Sequence, residues 1–226
     1  MTVVLLLAAG AVFDALFLLR SDRRQDPACL VFKSLASLFF VLLGARCFAV
    51  AGPGRFGALV LGGLFCGFAG DVLLGLRFFS RRLHDVYFVL GTLAFAAGHL
   101  LYISAILTAS PGAWLPAIPA ALAGLAVSWV YARARRVDAG RLLPLGTVYM
   151  AEVLYMASCA ACGAALTRSP ALCSFSLGGI CFCFSDNLLA ADTFGPEKRR
   201  RRSIVLHALY YAAQVFIALS VLLPAA

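Results

Sequence analysis

Charged residues are scarce in this 226-residue chain: Asp, Glu, Lys and Arg together make up 13% of it, with ten acids against nineteen bases and three histidines. A soluble domain carries about a quarter charged residues. With 63% of residues hydrophobic and a mean hydropathy of +0.95, no stretch is polar enough to form such a domain or a linker to one. The first 19 residues lack a basic leader and carry their positive charge after the apolar run, the pattern of a first membrane helix and not of a cleaved signal. Gly-rich phosphate loops and a serine in a nucleophile elbow are absent as well. Of the histidines, His99 and His207 fall in apolar segments, neither in an HxxxH or HxxE pair, so a zinc site would need aspartates to complete it. No metal or cofactor is expected. The eight cysteines, at 29, 47, 66, 159, 162, 173, 181 and 183, sit in apolar runs as small packing residues. Cys159 and Cys162 form a CxxC without the second pair that a structural zinc site requires.

What the chain has instead is apolar runs of about 20 residues, the length that crosses a hydrocarbon core of about 30 Å. Eight are expected, at 1–19, 29–50, 57–79, 86–108, 114–132, 142–166, 171–193 and 203–224, forming one all-α transmembrane domain over residues 1–226. Turn chemistry or charge marks each break, as at Gly52-Pro53-Gly54, Ser110-Pro111-Gly112 and Ser169-Pro170. The odd-numbered connections carry Arg20, Arg23 and Arg24; Arg77, Arg81 and Arg82; Arg133, Arg135, Arg136 and Arg141; and Lys198 to Arg202. The even-numbered ones carry Arg55 and Arg168. By the positive-inside rule both termini then face away from the cytoplasm, in an integral multi-pass protein most simply placed in the cell membrane. The formal net charge of +9 is accounted for by topology and anionic headgroups, so no nucleic-acid partner is implied.

Against that apolar background the intramembrane polar residues stand out. Asp71 lies in Gly62 to Gly75 (GGLFCGFAGDVLLG), and Gly63, Gly67, Asp71 and Gly75 fall four apart on one helical ridge, which would let another helix approach the acid closely. A carboxylate at that depth costs on the order of 3 kcal/mol and usually faces the bundle interior or a wet cavity. The seventh span repeats the arrangement with Gly178, Phe182 and Asp186. With alternating span directions, Asp71, Asp186 and Asp14 fall at similar levels in the cytoplasmic half. Glu152 and His99 fall near the middle, and His207, Tyr210, Tyr211 and Gln214 between the two. Two carboxyls at close range in a low dielectric cannot both ionise, and the pair that results is an acid and a base. Lys33, just inside the second span, can snorkel or bind a phosphate. The same residues also fit a proton-coupled transporter, whose buried acids line a substrate path, or a membrane protein in which they only join helices.

Gly70-Asp71 in the third span, Phe88-x-x-Gly91-x-x-x-Phe95-x-x-x-His99-x-x-Tyr102 in the fourth, Phe184-Ser185-Asp186 in the seventh and Tyr210-Tyr211-x-x-Gln214 in the eighth together resemble the lysoplasmalogenase (YhhN-like) family of eight-span membrane proteins. The resemblance runs over nearly the whole chain, and departs from the family at Lys33-Ser34, where Lys-Pro is common. It implies a hydrolase that cleaves the vinyl ether bond of lysoplasmalogens, a lysophospholipid class, giving a fatty aldehyde and a glycerophospho-alcohol (glycerophosphoethanolamine or glycerophosphocholine). On that reading Asp71, Asp186 and His99 are the catalytic candidates. Lys33, Glu152, Tyr102, Tyr149, His207, Tyr211 and Gln214 are candidates for holding substrate or water.

Overall fold

The computed structural model describes residues 2–21, 27–80 and 82–225; Arg23, Arg24 and Arg81 of the charged connections lie outside them. Among the described residues eight α-helices follow one another: α1 Thr2–Ser21, α2 Pro27–Ala51, α3 Arg55–Leu76, α4 His84–Ala109, α5 Trp114–Ala134, α6 Leu143–Thr167, α7 Pro170–Phe194 and α8 Arg200–Ser220. All eight are long and apolar enough to cross a membrane, and no strand occurs among the described residues. At 1.5 Å per residue, helices of 20 to 26 residues reach about 30 to 39 Å, enough to span the hydrocarbon with some tilt.

The ends follow local chemistry. Pro27 and Pro170 occupy the first helical position, where a missing N–H is no loss, and Ser169 caps α7 by accepting a hydrogen bond from the Leu172 amide. Gly52, at φ +85°, turns the chain between α2 and α3. Three boundaries differ from expectation by more than two residues, one of them the end of α8, at Ser220 and not at 224. Helix α3 stops at Leu76 and not at 79, because residues 77 to 79 tighten into a turn in which the Phe79 amide reaches back to the Leu76 carbonyl. Helix α8 begins at Arg200, so the basic run supplies its first turn. Cations at a helix N-terminus oppose the macrodipole, which is why that run reads as a loop in sequence.

Sequential hairpins pack together, α1 on α2, α3 on α4, α5 on α6 and α7 on α8, and α2 closes onto α3 and α8 while α6 bridges α4 and α7. Phe40, Leu64, Tyr102, Met156, Phe182 and Ile217 mark the shared core. Helices α1 and α5 sit at the rim, with Val4, Leu5 and Val12 on one and Leu122, Val127 and Val130 on the other turned outward, an apolar surface suited to lipid.

Small residues set the closest helix approaches, though not along the ridge expected in α3. A Cβ at Gly98 would stand 3.0 Å from the Gly63 carbonyl oxygen, and one at Gly91 3.2 Å from that of Gly70, so the α3–α4 contact is backbone against backbone. The ridge of Gly63 and Gly67 is instead filled by side chains, the Tyr102 ring over Gly63 and the Gln214 amide over Gly67. In α7 a Cβ at Gly178 would lie 2.8 Å from the Ala213 carbonyl oxygen of α8. Gly98→Leu and Gly178→Leu should each destabilise the fold by about 1 to 3 kcal/mol or more through overpacking. Gly54→Ala, where nothing lies within 4 Å, should leave it within about 0.5 kcal/mol. Unfolding of the purified protein in mixed micelles measures all three.

Candidate functional site

Asp71 is buried five residues before the end of α3, about 8 Å along the helix axis. Its environment is made by α2 and α8. Lys33 and Ser37, four apart and so on one face of α2, present an ammonium and a hydroxyl: Lys33 Nζ lies 2.9 Å from Oδ1 and Ser37 Oγ donates to Oδ2 at 2.6 Å. From α8, the Tyr210 hydroxyl donates to the same Oδ2 at 2.6 Å. Tyr210 accepts from Gln214 Nε2 at 3.2 Å, and the Gln214 carbonyl oxygen accepts from the Tyr102 hydroxyl of α4 at 3.1 Å. One chain of hydrogen bonds thus joins four helices at a single carboxylate. The Tyr211 hydroxyl braces α2 from the side, 3.3 Å from Ser37 Oγ and donating to the Lys33 carbonyl at 3.4 Å.

Asp186 is buried eight residues before the end of α7, about 12 Å along its axis. Its Oδ2 accepts a hydrogen bond from the Tyr149 hydroxyl of α6 at 2.8 Å. The neighbouring Ser185 hydroxyl is committed to the Leu206 carbonyl at 3.0 Å. The two acids therefore live in different surroundings, one facing a cation and two hydroxyls, the other a phenol.

They share one cavity. A volume of about 660 Å³ is lined by Asp71, Asp186, Lys33, Tyr149, His207 and Tyr210, with walls of Leu30, Leu74, Phe88, Phe95, Phe182 and Leu189. It continues to the helix ends bearing Arg77, Lys198, Arg199 and Arg200. Its size is that of ordinary small-ligand sites, about 300 to 1,000 Å³. In His207 the Nδ1 atom lies 2.7 Å from the Ser203 carbonyl, which can only accept, so Nδ1 carries hydrogen and Nε2 is left for the cavity. The ring rests on Phe17 of α1 at 4.9 Å.

Several residues expected at the site lie elsewhere. His99 is 1% exposed and does not line the cavity: it packs edge-on to Phe182 at 4.9 Å and beside Tyr149 at 5.4 Å, and neither ring nitrogen has a partner among the described residues. Glu152 is half-buried one turn along α6 from Tyr149 and is absent from the cavity wall. Tyr102, Tyr211 and Gln214 act through the hydrogen-bond chain and not at the cavity surface. Lys33, expected to be available to a phosphate, is tied to Asp71. Ser37 and the role of Tyr210 were not foreseen; the signal was there, two polar residues four apart in α2 and a tyrosine four before Gln214. Among the described residues no three His, Cys, Asp or Glu side chains gather as a metal site, and Cys159 and Cys162 are free thiols.

The sequence model of the YhhN family matches residues 28–221, from the start of α2 through the end of α8 and so every helix of the cavity except α1. No curated protein and no solved structure matches the chain.

The Lys33–Asp71 pair generates a test. Removing one partner should cost about 3 to 5 kcal/mol by stranding a buried charge, so Lys33→Met and Asp71→Leu should each unfold at markedly lower denaturant, whereas the double variant should recover most of the loss. A double-mutant cycle in mixed micelles reads the coupling directly.

Proposed function

We propose, from the premise that this chain belongs to the YhhN family, that its cavity hydrolyses the vinyl ether of a lysoplasmalogen, with Asp186 as proton donor and Asp71 as the ionised partner. The observation that carries the reading is that two carboxyls in unlike surroundings line one mostly apolar cavity. An ammonium and two hydroxyls satisfy the oxygens of an anionic Asp71. A neutral Asp186 accepts from Tyr149 on one oxygen and carries its proton on the other, toward the substrate.

The chemistry needs those two states. Protonation of the vinyl ether β carbon breaks the double bond and leaves an oxocarbenium ion at the carbon attached to oxygen. Water adds there and releases a proton, giving a hemiacetal, which collapses to the aldehyde and the glycerophospho-alcohol. The proton released from water passes back to Asp186, directly or by way of Asp71, so the site returns to its starting state without any other reagent. Asp71 stabilises the cation or takes up the water proton, in the manner of the carboxylate pairs of glycoside hydrolysis. The hydrocarbon chain lies along the aromatic and leucine walls. Tyr149 orients Asp186, and His99, packed against the Tyr149 and Phe182 rings, holds that phenol in place.

Purified protein supplied with a lysoplasmalogen should release fatty aldehyde, and an ester lysophospholipid of the same chain length should release no fatty acid. Asp71→Asn and Asp186→Asn should each lower turnover by about 10² to 10⁴; Tyr149→Phe should lower it about tenfold, the worth of one hydrogen bond. Undiminished turnover in either folded Asn variant would remove that aspartate from the reaction, and concentrative uptake into liposomes without any product would move the protein to the transporter class.

A further inference from the structure

The cavity mouth holds two charged side chains that the reaction leaves unused. Arg77 follows the last residue of α3 and Asp192 lies in the last turn of α7; both line the cavity. Among the described residues neither makes an ion pair or a side-chain hydrogen bond, and they are not within ion-pair distance of each other. Arg77 Nε and Asp192 Oδ1 are shut off from solvent without a partner. The two terminal nitrogens of Arg77 and the second oxygen of Asp192 are therefore the atoms left to meet a ligand. Burial pushes the Arg77 guanidinium down to about 10, so it keeps its charge at neutral pH.

We propose that this mouth is a headgroup site selecting a phosphate that bears a primary ammonium, with the phosphate on Arg77 and the ammonium on Asp192. The inference rests on the lipid-hydrolase reading of the cavity and adds its specificity. Two opposite charges held apart at the cavity mouth are both matched by one zwitterion and only half matched by an anion. Arg77 is the fork for the phosphate, since Lys33 is bound to Asp71, Arg199 to Glu197 and Arg202 to the Ala191 carbonyl. A trimethylammonium offers Asp192 no N–H. The ring faces it would seek instead are occupied, because the Arg77 guanidinium sits 4.7 Å from the Phe78 centroid and 5.4 Å from that of Phe88, and Phe88 meets Phe194 edge-on at 5.6 Å.

The test uses the full chain and binding, not turnover. Lysolipids with one saturated ether chain, which cannot be cleaved, and ethanolamine, choline or glycerol headgroups are titrated calorimetrically in detergent, with free phosphoethanolamine as competitor. The ethanolamine lipid should bind about tenfold or more tighter than the other two. Asp192→Asn should abolish that preference, and Arg77→Gln should weaken all three lipids about ten- to a hundredfold, with Arg77→Lys recovering part. Equal binding of the three headgroups by the unmodified chain, or an ethanolamine preference surviving Asp192→Asn, overturns the proposal even if Arg77→Gln fails to fold. Competition by free phosphoethanolamine as strong as by the lipid would reassign the site to a soluble phospho-amine. Aldehyde release without headgroup preference sinks the headgroup site alone; preference without aldehyde release sinks the reaction and leaves the site standing.

Discussion

Everything in the polar interior follows from a carboxylate placed where the bilayer disfavours it. Asp71 is tolerated because α2 brings Lys33 and Ser37 to it and α8 brings Tyr210, so its two oxygens meet an ammonium and two hydroxyls. A buried pair of this kind is weak evidence of net stability, since desolvation offsets much of the attraction. Its effect is geometric. Three helices must hold one rotation about their axes for the donors to converge, and the Gln214–Tyr102 hydrogen bond extends that constraint to α4. The glycine contacts between α3 and α4 and between α7 and α8 fix how closely those helix pairs pack around the acid.

The cavity takes its character from the contrast this creates. Near its inner end stand two acids of opposite disposition, one matched to negative charge and one to a neutral hydroxyl partner. Its walls are leucine and phenylalanine, and its outer end is basic except for Asp192.

The membrane architecture was legible from residue order, because apolar runs, Pro-Gly turns and arginine clusters each carry their own physical meaning. Asp71 and Asp186 were legible as a pair through depth: alternating spans set them at one level, and helix spacing turned them inward. The partners of Asp71 were harder to see. Serine and tyrosine are ordinary in apolar helices, and Ser37 became important only when α2 was rotated to bring Lys33 to the same oxygen atoms. Lys33 lines the cavity as expected, but its pairing with Asp71 was not legible, since a lysine near a helix end snorkels unless an acid on another helix is within reach. His99 and Glu152 looked central by depth but lie off the cavity wall, and His99 is turned into packing against Phe182 and Tyr149. Asp192 carried no pattern at all; only the packed structure isolates it.

The hydrogen-bond chain has one further consequence, for biogenesis. Lys33 and Asp71 sit on the second and third helices, whereas Tyr210 and Gln214 arrive on the last. During synthesis the acid can be matched by its lysine as soon as those early helices assemble, but one of its hydroxyl donors is missing until α8 inserts. A chain truncated before α8 would retain a half-satisfied acid and an opened cavity wall, a defect that membrane quality control could recognise. The site is therefore complete only once α8 has inserted.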